Sequence, residues 1–246
     1  MAWNNWRKKL YTPGQTEIFA LSRSKIDLFL QCPKCFYLDR VHGISRPQFP
    51  AFLLNSAVDE LFKKEFDTYR IEGKPHPIMK QTDLDLKPFV HPDLDSWRHN
   101  FTGIRTIHEP TKFEIFGAVD DIWVDSKDQL FVADYKSTSK DEEITLDDKW
   151  KEGYKRQIEV YQWILRQNKY NVSDMGYFVY ANALKSNDVF DNTLKFETTL
   201  LSYEGDTSWI EDTLFKIKET LDSKKIPDHN SECEYCLYNQ KRNEYN

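Results

Sequence analysis

Two Cys-x-x-Cys pairs stand near opposite ends of this 246-residue chain: Cys32 and Cys35 in "QCPKCF", Cys233 and Cys236 in "SECEYC". They are its four cysteines, and paired thiols in an otherwise cysteine-free chain point to a metal site more than to disulfides. If one site takes both pairs, positions about 200 residues apart must meet. Closing so long a loop constrains the unfolded chain strongly, so any fold has to tie segment 21–45 to segment 226–246. Four thiolates suit tetrahedral zinc, and they also suit an iron–sulfur cluster.

Between the pairs lies material for a substantial core. Hydrophobic residues are 39% of the chain and aromatics 15%, which excludes global disorder. No apolar run approaches a membrane span, and the opening "MAWNNWRKKLYTPGQTE" lacks the apolar segment of a secretory signal. The expectation is a soluble, cytoplasmic protein with no membrane partner. A net charge of −6 argues against a general nucleic-acid coat, but it allows a local basic groove beside an acidic metal site.

The pattern along the chain predicts one domain over 1–246, with residues 1–20 an irregular arm. Ser22 or Ser24 is placed to cap a helix bearing Ile26, Phe29 and Leu30, which Pro33 interrupts. Leu54, Val58, Leu61, Phe62 and Phe66 recur at helical spacing over 52–70. Residues 73–97 read as a loop with short helical pieces. Strands follow near 104–108, 112–124 and 129–136, the last two joined by the turn "DSKDQ". A helix spans 147–168, strands cover "DMGYFVYANAL" and "LKFETTLLS", and a helix begins near Asp206 or Thr207 as its cap. The fold class is α/β (α+β-like), a central mixed sheet flanked by helices.

The strand "LFVADYKS" ends by presenting Asp134 and Lys136, two apart and so on one face. The preceding strand carries Asp120 in "FGAVDDIWV", and hairpin pairing can bring it beside Asp134. Two carboxylates at a sheet end suit Mg²⁺ or Mn²⁺, and the Tyr135 carbonyl can add an oxygen. Lys136 would lower the pKa of a bound water, orient it and offset charge on a phosphorane. Gly117 would let another backbone approach closely. Gln157 and Tyr161 are four apart in "QIEVY", on one helix face, where a buried amide and phenol need a polar partner.

The order "GAVD", "DYK", "QIEVY" resembles the G-x-x-D, D-x-K and Q-x-x-x-Y motifs of PD-(D/E)XK nucleases. It is most similar to their RecB-like branch, which includes the CRISPR-associated iron–sulfur nuclease. "SRSKIDLFLQCPKCFYLDRV" and "KKIPDHNSECEYCLYNQ" resemble that branch's flanking cysteine segments, so the likeness spans Leu21 to Asn239. The resemblance implies a restriction-endonuclease-like core with Asp120 and Asp134 as metal ligands and Lys136 as the catalytic lysine. It implies that Gln157 and Tyr161 position the lysine and the strand. It also implies a DNA substrate, single-stranded or with duplex ends, in repair, recombination, or CRISPR or phage DNA processing, with any helicase motor or repair partner a separate chain.

Two features depart from the family pattern. Asp59, in "NSAVDELF", stands where the branch often has a histidine, and its oxygen would still suit Mg²⁺ or Mn²⁺. The cysteines are arranged two and two rather than one and three; resemblance favours iron–sulfur and spacing favours zinc, with iron–sulfur taken as the expectation. His42 and His229 flank the pairs, where they are candidate substitute ligands, with ordinary loop histidines the preferred reading. Lys149, Lys151, Lys155 and Arg156, interleaved with Trp150, Tyr154 and Trp163, form a candidate nucleic-acid surface, and "WRKK" at 6–9 is a second basic cluster. Two other functions compete with a nuclease. A binding module of the same fold would bind without cleaving, and a partner-binding structural protein would show no salt-dependent nucleic-acid affinity.

Overall fold

A computed structural model describes residues 10–48, 50, 52–83, 85–186 and 189–245. The basic cluster at 6–9 lies outside them, as do the first nine residues of the expected arm. In chain order the elements are β1 (Phe19–Ser22), α1 (Arg23–Gln31), α2 (Pro33–Val41), α3 (Leu53–Glu72), β2 (Lys87–Pro88), α4 (Leu94–Arg98), β3 (Ile104–His108), β4 (Phe113–Gly117), β5 (Asp121–Val124), β6 (Leu130–Thr138), α5 (Glu152–Gln167), β7 (Met175–Ala183), β8 (Phe196–Glu204), α6 (Trp209–Asp222) and α7 (Glu234–Asn243). Two compact units emerge: Met1–Phe49 with Ile107–Ile115 and Ser208–Asn246, and Pro50–Thr106 with Phe116–Thr207.

The first unit gathers both ends of the chain. Pro33 ends one helix and starts the next: Cys32 is extended at the break, and Pro33 takes the first helical position, where its missing N–H costs nothing. Ser22 occupies the N-cap of α1, and its hydroxyl pairs with the Ser24 hydroxyl at 3.0 Å rather than capping the helix. Tyr11, Phe19 and Phe113 pack edge to face, and the Tyr11 hydroxyl donates to Asp222 Oδ1 at 2.6 Å. Helix α6 starts after Ser208, two residues beyond the predicted cap Asp206 and one beyond Thr207.

The second unit is a mixed five-stranded sheet in the order β2-β5-β6-β7-β8. β5 and β6 form the predicted hairpin, paired from Asp121↔Ala133 to Val124↔Leu130. β6 and β7 run parallel, and α5 makes the crossover that parallel strands require. One sheet face meets α3 through Phe62, Phe66, Trp123, Tyr135 and Tyr177. The other meets α5, where a Cβ on Gly176 would stand 2.6 Å from Ile158 Cγ2; glycine lets helix and strand close up.

The strand expected over 112–124 is broken. β4 ends at Gly117 and β5 begins at Asp121, because the Val119 N–H leaves the ladder and donates to the Trp97 carbonyl at 3.1 Å. The close backbone approach expected at Gly117 is present, and its steric demand falls on Gly103: a Cβ there would lie 2.5 Å from the Gly117 carbonyl oxygen. β2, a two-residue strand within 73–97, escapes sequence pattern because it is too short to alternate.

Candidate active site and cysteine site

Alternation along β6 puts Asp134 and Lys136 on one face and Tyr135 on the other. Asp120 lies one residue before β5, and its Oδ2 accepts the Tyr135 N–H at 3.1 Å. That bond brings Asp120 beside Asp134, close enough for each carboxyl to shift the other's ionisation. The Lys136 ammonium forms an ion pair with Asp134 and lies 3.5 Å from the Tyr135 carbonyl oxygen. Gln157, reaching in from α5, donates to Asp134 Oδ1 at 2.7 Å. Tyr161 follows one turn later on the same helix and is buried.

Two participants were not anticipated. Lys63 sits one turn after Asp59 on α3 and bridges carboxylates, 2.8 Å from Asp59 Oδ2 and 3.3 Å from Asp120 Oδ1. The i,i+4 pair is legible in sequence, whereas the reach to Asp120 depends on tertiary packing. Tyr154 places its ring 4.8 Å from the Lys136 ammonium, a cation–π contact. Asn55, Asp59, Lys136 and Tyr154 help to line a small opening of about 100 Å³, room for a few waters.

The electrostatics are those of crowded acid held by two lysines. Burial pushes the Asp134 carboxyl up to about 7, and the neighbouring Asp120 adds to it. Burial opposes ionisation of Asp120 too, but Lys136 and Lys63 outweigh it and hold that carboxyl below the usual range. Asp59 is raised by burial and by Asp120, against the pull of Lys63. Lys136, despite burial, is held above the ordinary lysine range by Asp134 and Asp120, so it rests as an ammonium.

Adjacent Asp121 points the other way and does different work. It is fully buried and takes Arg70, Arg98 Nη2 at 2.9 Å and the Tyr135 hydroxyl at 2.6 Å. Arg98 also spans both Asp67 oxygens, at 2.8 and 2.9 Å. A buried, fully partnered acid of this kind belongs to the scaffold.

The expected nucleic-acid surface is only partly a surface. Trp150 is 56% exposed and Lys149 is exposed, while Lys155 is half-buried and pairs with Glu152 at 2.7 Å. Arg156 is half-buried. Lys151 departs from the expectation: it is 1% exposed, bound to the Thr145 carbonyl and paired with Asp148 at 2.9 Å, so its charge is spent inside the loop.

A divalent metal fits the carboxylate group chemically. Asp59, Asp120 and Asp134 are oxygen donors of the kind Mg²⁺ and Mn²⁺ prefer, and Lys63 and Lys136 now sit on them as the cations that an ion would displace or share.

In the first unit the four cysteines converge, their sulfurs all within 4.8 Å of one another. All four are free thiols, with Cys35 Sγ 3.6 Å from both Cys233 Sγ and Cys236 Sγ, far beyond a disulfide bond. Hydrogen bonds from the Cys35 and Asn230 backbone outweigh burial and bring the Cys32 thiol down to about 7, whereas burial raises the Cys35 and Cys236 thiols, so the metal-free group keeps protons that an ion would displace. His229 is half-buried and bonds the Asn230 carbonyl, and His42 packs against Tyr37; neither joins the group.

Among the described residues no helix is long and apolar enough to cross a membrane. No curated protein matches the chain. A solved structure described as "Crystal structure of SSO0001" is similar at 14% identity and a TM-score of 0.38, over 92% of this chain and 86% of that one. The family model of the PD-(D/E)XK nuclease superfamily matches residues 48–240, a span that holds the whole carboxylate and lysine site. The chain therefore belongs to the PD-(D/E)XK nuclease superfamily.

Proposed function

We propose that this protein is a Mg²⁺- or Mn²⁺-dependent deoxyribonuclease that hydrolyses phosphodiester bonds. The observation that carries this reading is a charged Lys136 lodged against Asp134 at the end of β6, with Asp120 beside it. Asp120, Asp134 and the Tyr135 carbonyl would hold the ion, with Asp59 adding an oxygen from α3. When bound, the ion supplies Lewis-acid stabilisation and lowers the pKa of the attacking water. Lys136 orients that water and offsets negative charge growing on the phosphoryl oxygens. Gln157 fixes Asp134 by one oxygen, so the carboxylate cannot swing away when its proton leaves. The exposure of Trp150 and Lys149 supports a role for them in stacking on an unpaired base and meeting a phosphate. The setting that fits is the RecB-like branch, processing DNA ends in repair, recombination, or CRISPR or phage DNA metabolism, alongside a separate motor or partner protein.

The test is cleavage of end-labelled single- and double-stranded DNA in Mn²⁺ or EDTA, comparing wild type with Asp134→Ala and Lys136→Ala. Metal-dependent products should fall by about 10²-fold or more in each variant. The ladder of products separates exonuclease from endonuclease. A folded wild type that binds DNA without cutting it would support a second reading, a binding module. The Lys63 bridge between Asp59 and Asp120 favours that alternative, because it occupies two prospective metal ligands.

A further inference from the structure

We infer that the four cysteines hold one tetrahedral zinc ion rather than the iron–sulfur cluster that the family resemblance implies. The argument is one of size. Metal–sulfur bonds of about 2.3 Å in a tetrahedron give sulfur–sulfur edges of about 3.8 Å. The sulfurs here lie 3.6 Å apart for Cys35–Cys233 and Cys35–Cys236 and 3.9 Å for Cys32–Cys236. A four-iron cubane carries each thiolate outward on a separate iron and spreads the sulfurs to roughly 6 Å. Sulfurs all within 4.8 Å leave room for a single ion and none for four irons and four sulfides.

The backbone holds that spacing from both ends. Cys32 and Cys233 are extended N-cap residues, and Cys35 and Cys236 lie in the first turn of the helix that follows, α2 or α7. Each pair is closed by the same bond, Phe36 N–H to the Cys32 carbonyl at 3.1 Å and Leu237 N–H to the Cys233 carbonyl at 3.0 Å. Two matching half-sites thus offer two thiolates each, beside two helix N-termini whose dipoles favour anions. Arg46 adds a full positive charge, with Nη2 3.4 Å from Cys233 Sγ and its guanidinium 4.6 Å over the Tyr235 ring. Four thiolates on a dication leave two negative charges, which this cation and the helix ends offset. Zinc binds such a site more tightly than ferrous iron. Binding replaces the thiol protons, which leave to solvent.

This inference does not depend on the cleavage reading, since the site shares no residue with the carboxylates. The experiment takes the full chain, purified without oxygen from cells grown with iron and zinc, and measures zinc, iron and acid-labile sulfide. One zinc per chain without sulfide, in colourless protein, is expected. Exchange into Co²⁺ should then give the intense ligand-field absorption of a tetrahedral four-thiolate site. Cys236→Ser, the least buried ligand, should weaken Co²⁺ binding at least tenfold and shift that band. Iron with sulfide, iron without sulfide, or no bound metal in the wild type would each overturn the assignment.

Discussion

Asp120 and Asp121 are neighbours of identical chemistry in different surroundings, and a pair of substitutions tests the different roles proposed for them. Asp120→Asn should abolish cleavage while costing less stability than Asp121→Ala, because the lost attraction of Lys136 and Lys63 is partly offset by relief of the repulsion that raises Asp134 and Asp59. Asp121→Ala should cost about 3–5 kcal/mol in denaturant unfolding, because Arg70 and Arg98 are left buried without their shared partner. Equal losses of stability in both would refute the division. The Asp134 carboxyl sets the pH response. It is raised to about 7 in the folded chain and is ordinary when unfolded, so the fold keeps a proton that the unfolded chain has lost. Its contribution to stability is therefore present below about pH 4 and lost as pH rises through about 7 in metal-free protein. Metal affinity runs the opposite way, since the ion needs the carboxylate. Mn²⁺ titration calorimetry should show affinity climbing up to about pH 7 and levelling above it. A flat profile would remove Asp134 from the ligand set.

At the scale of elements, helix α5 does most to assemble the site. Its face from Gln157 to Leu165 is buried without interruption, and it delivers Gln157 to Asp134 from the helix layer. The position of that amide depends on how closely α5 rides on β7. Gly176→Ala pushes a methyl into Ile158 and should cost about 1–3 kcal/mol. Catalytic rate should fall more than substrate affinity does, because Asp134 is displaced while the outer surface is untouched. Thermal unfolding together with a kcat and KM comparison checks both parts. Helix α3 makes the matching contribution from the other layer, carrying Asp59 and Lys63 to Asp120. Lys63→Ala should tighten Mn²⁺ binding, because it removes the cation that competes for those two carboxylates; weaker binding would show instead that Lys63 only holds them in place.

At the scale of the whole molecule, the proposed zinc site would fasten segments about 200 residues apart, whose four cysteines the fold brings together. Treated as a cross-link, such a closure is worth up to ~5 kcal/mol of chain entropy. Stripping the metal with a thiol-competent chelator should lower the melting temperature and speed hydrogen exchange first in α1, α2 and α7. Uniform acceleration along the chain would contradict that local role. Several features were fixed by local pattern alone. The Pro33 break, the helix α3, the β5–β6 hairpin and the order of "GAVD", "DYK" and "QIEVY" follow from spacing and turn chemistry between near neighbours, although of the expected apolar face of α3 Phe62 and Phe66 are buried while Leu54 and Leu61 are exposed. The cysteine pairing across the chain was legible for the same reason, since two such motifs have few other uses. Other features depend on what lies opposite in space, which no local pattern encodes. Packing turned Lys151 inward, although its sequence neighbours Lys149 and Trp150 face solvent. It broke the long strand at Val119 by giving that amide a carbonyl on α4, and it brought Lys63 and Tyr154 to the carboxylates. It also turned Asp120 toward Lys63 and the Tyr135 amide, and Asp121 toward Arg70, Arg98 and the Tyr135 hydroxyl. Sequence set which chemical groups were present and in what order; tertiary packing set what each was buried against, and because Asp134 and Asp121 are equally buried, it is the two arginines on Asp121, against the lysine and the second carboxyl beside Asp134, that set them apart.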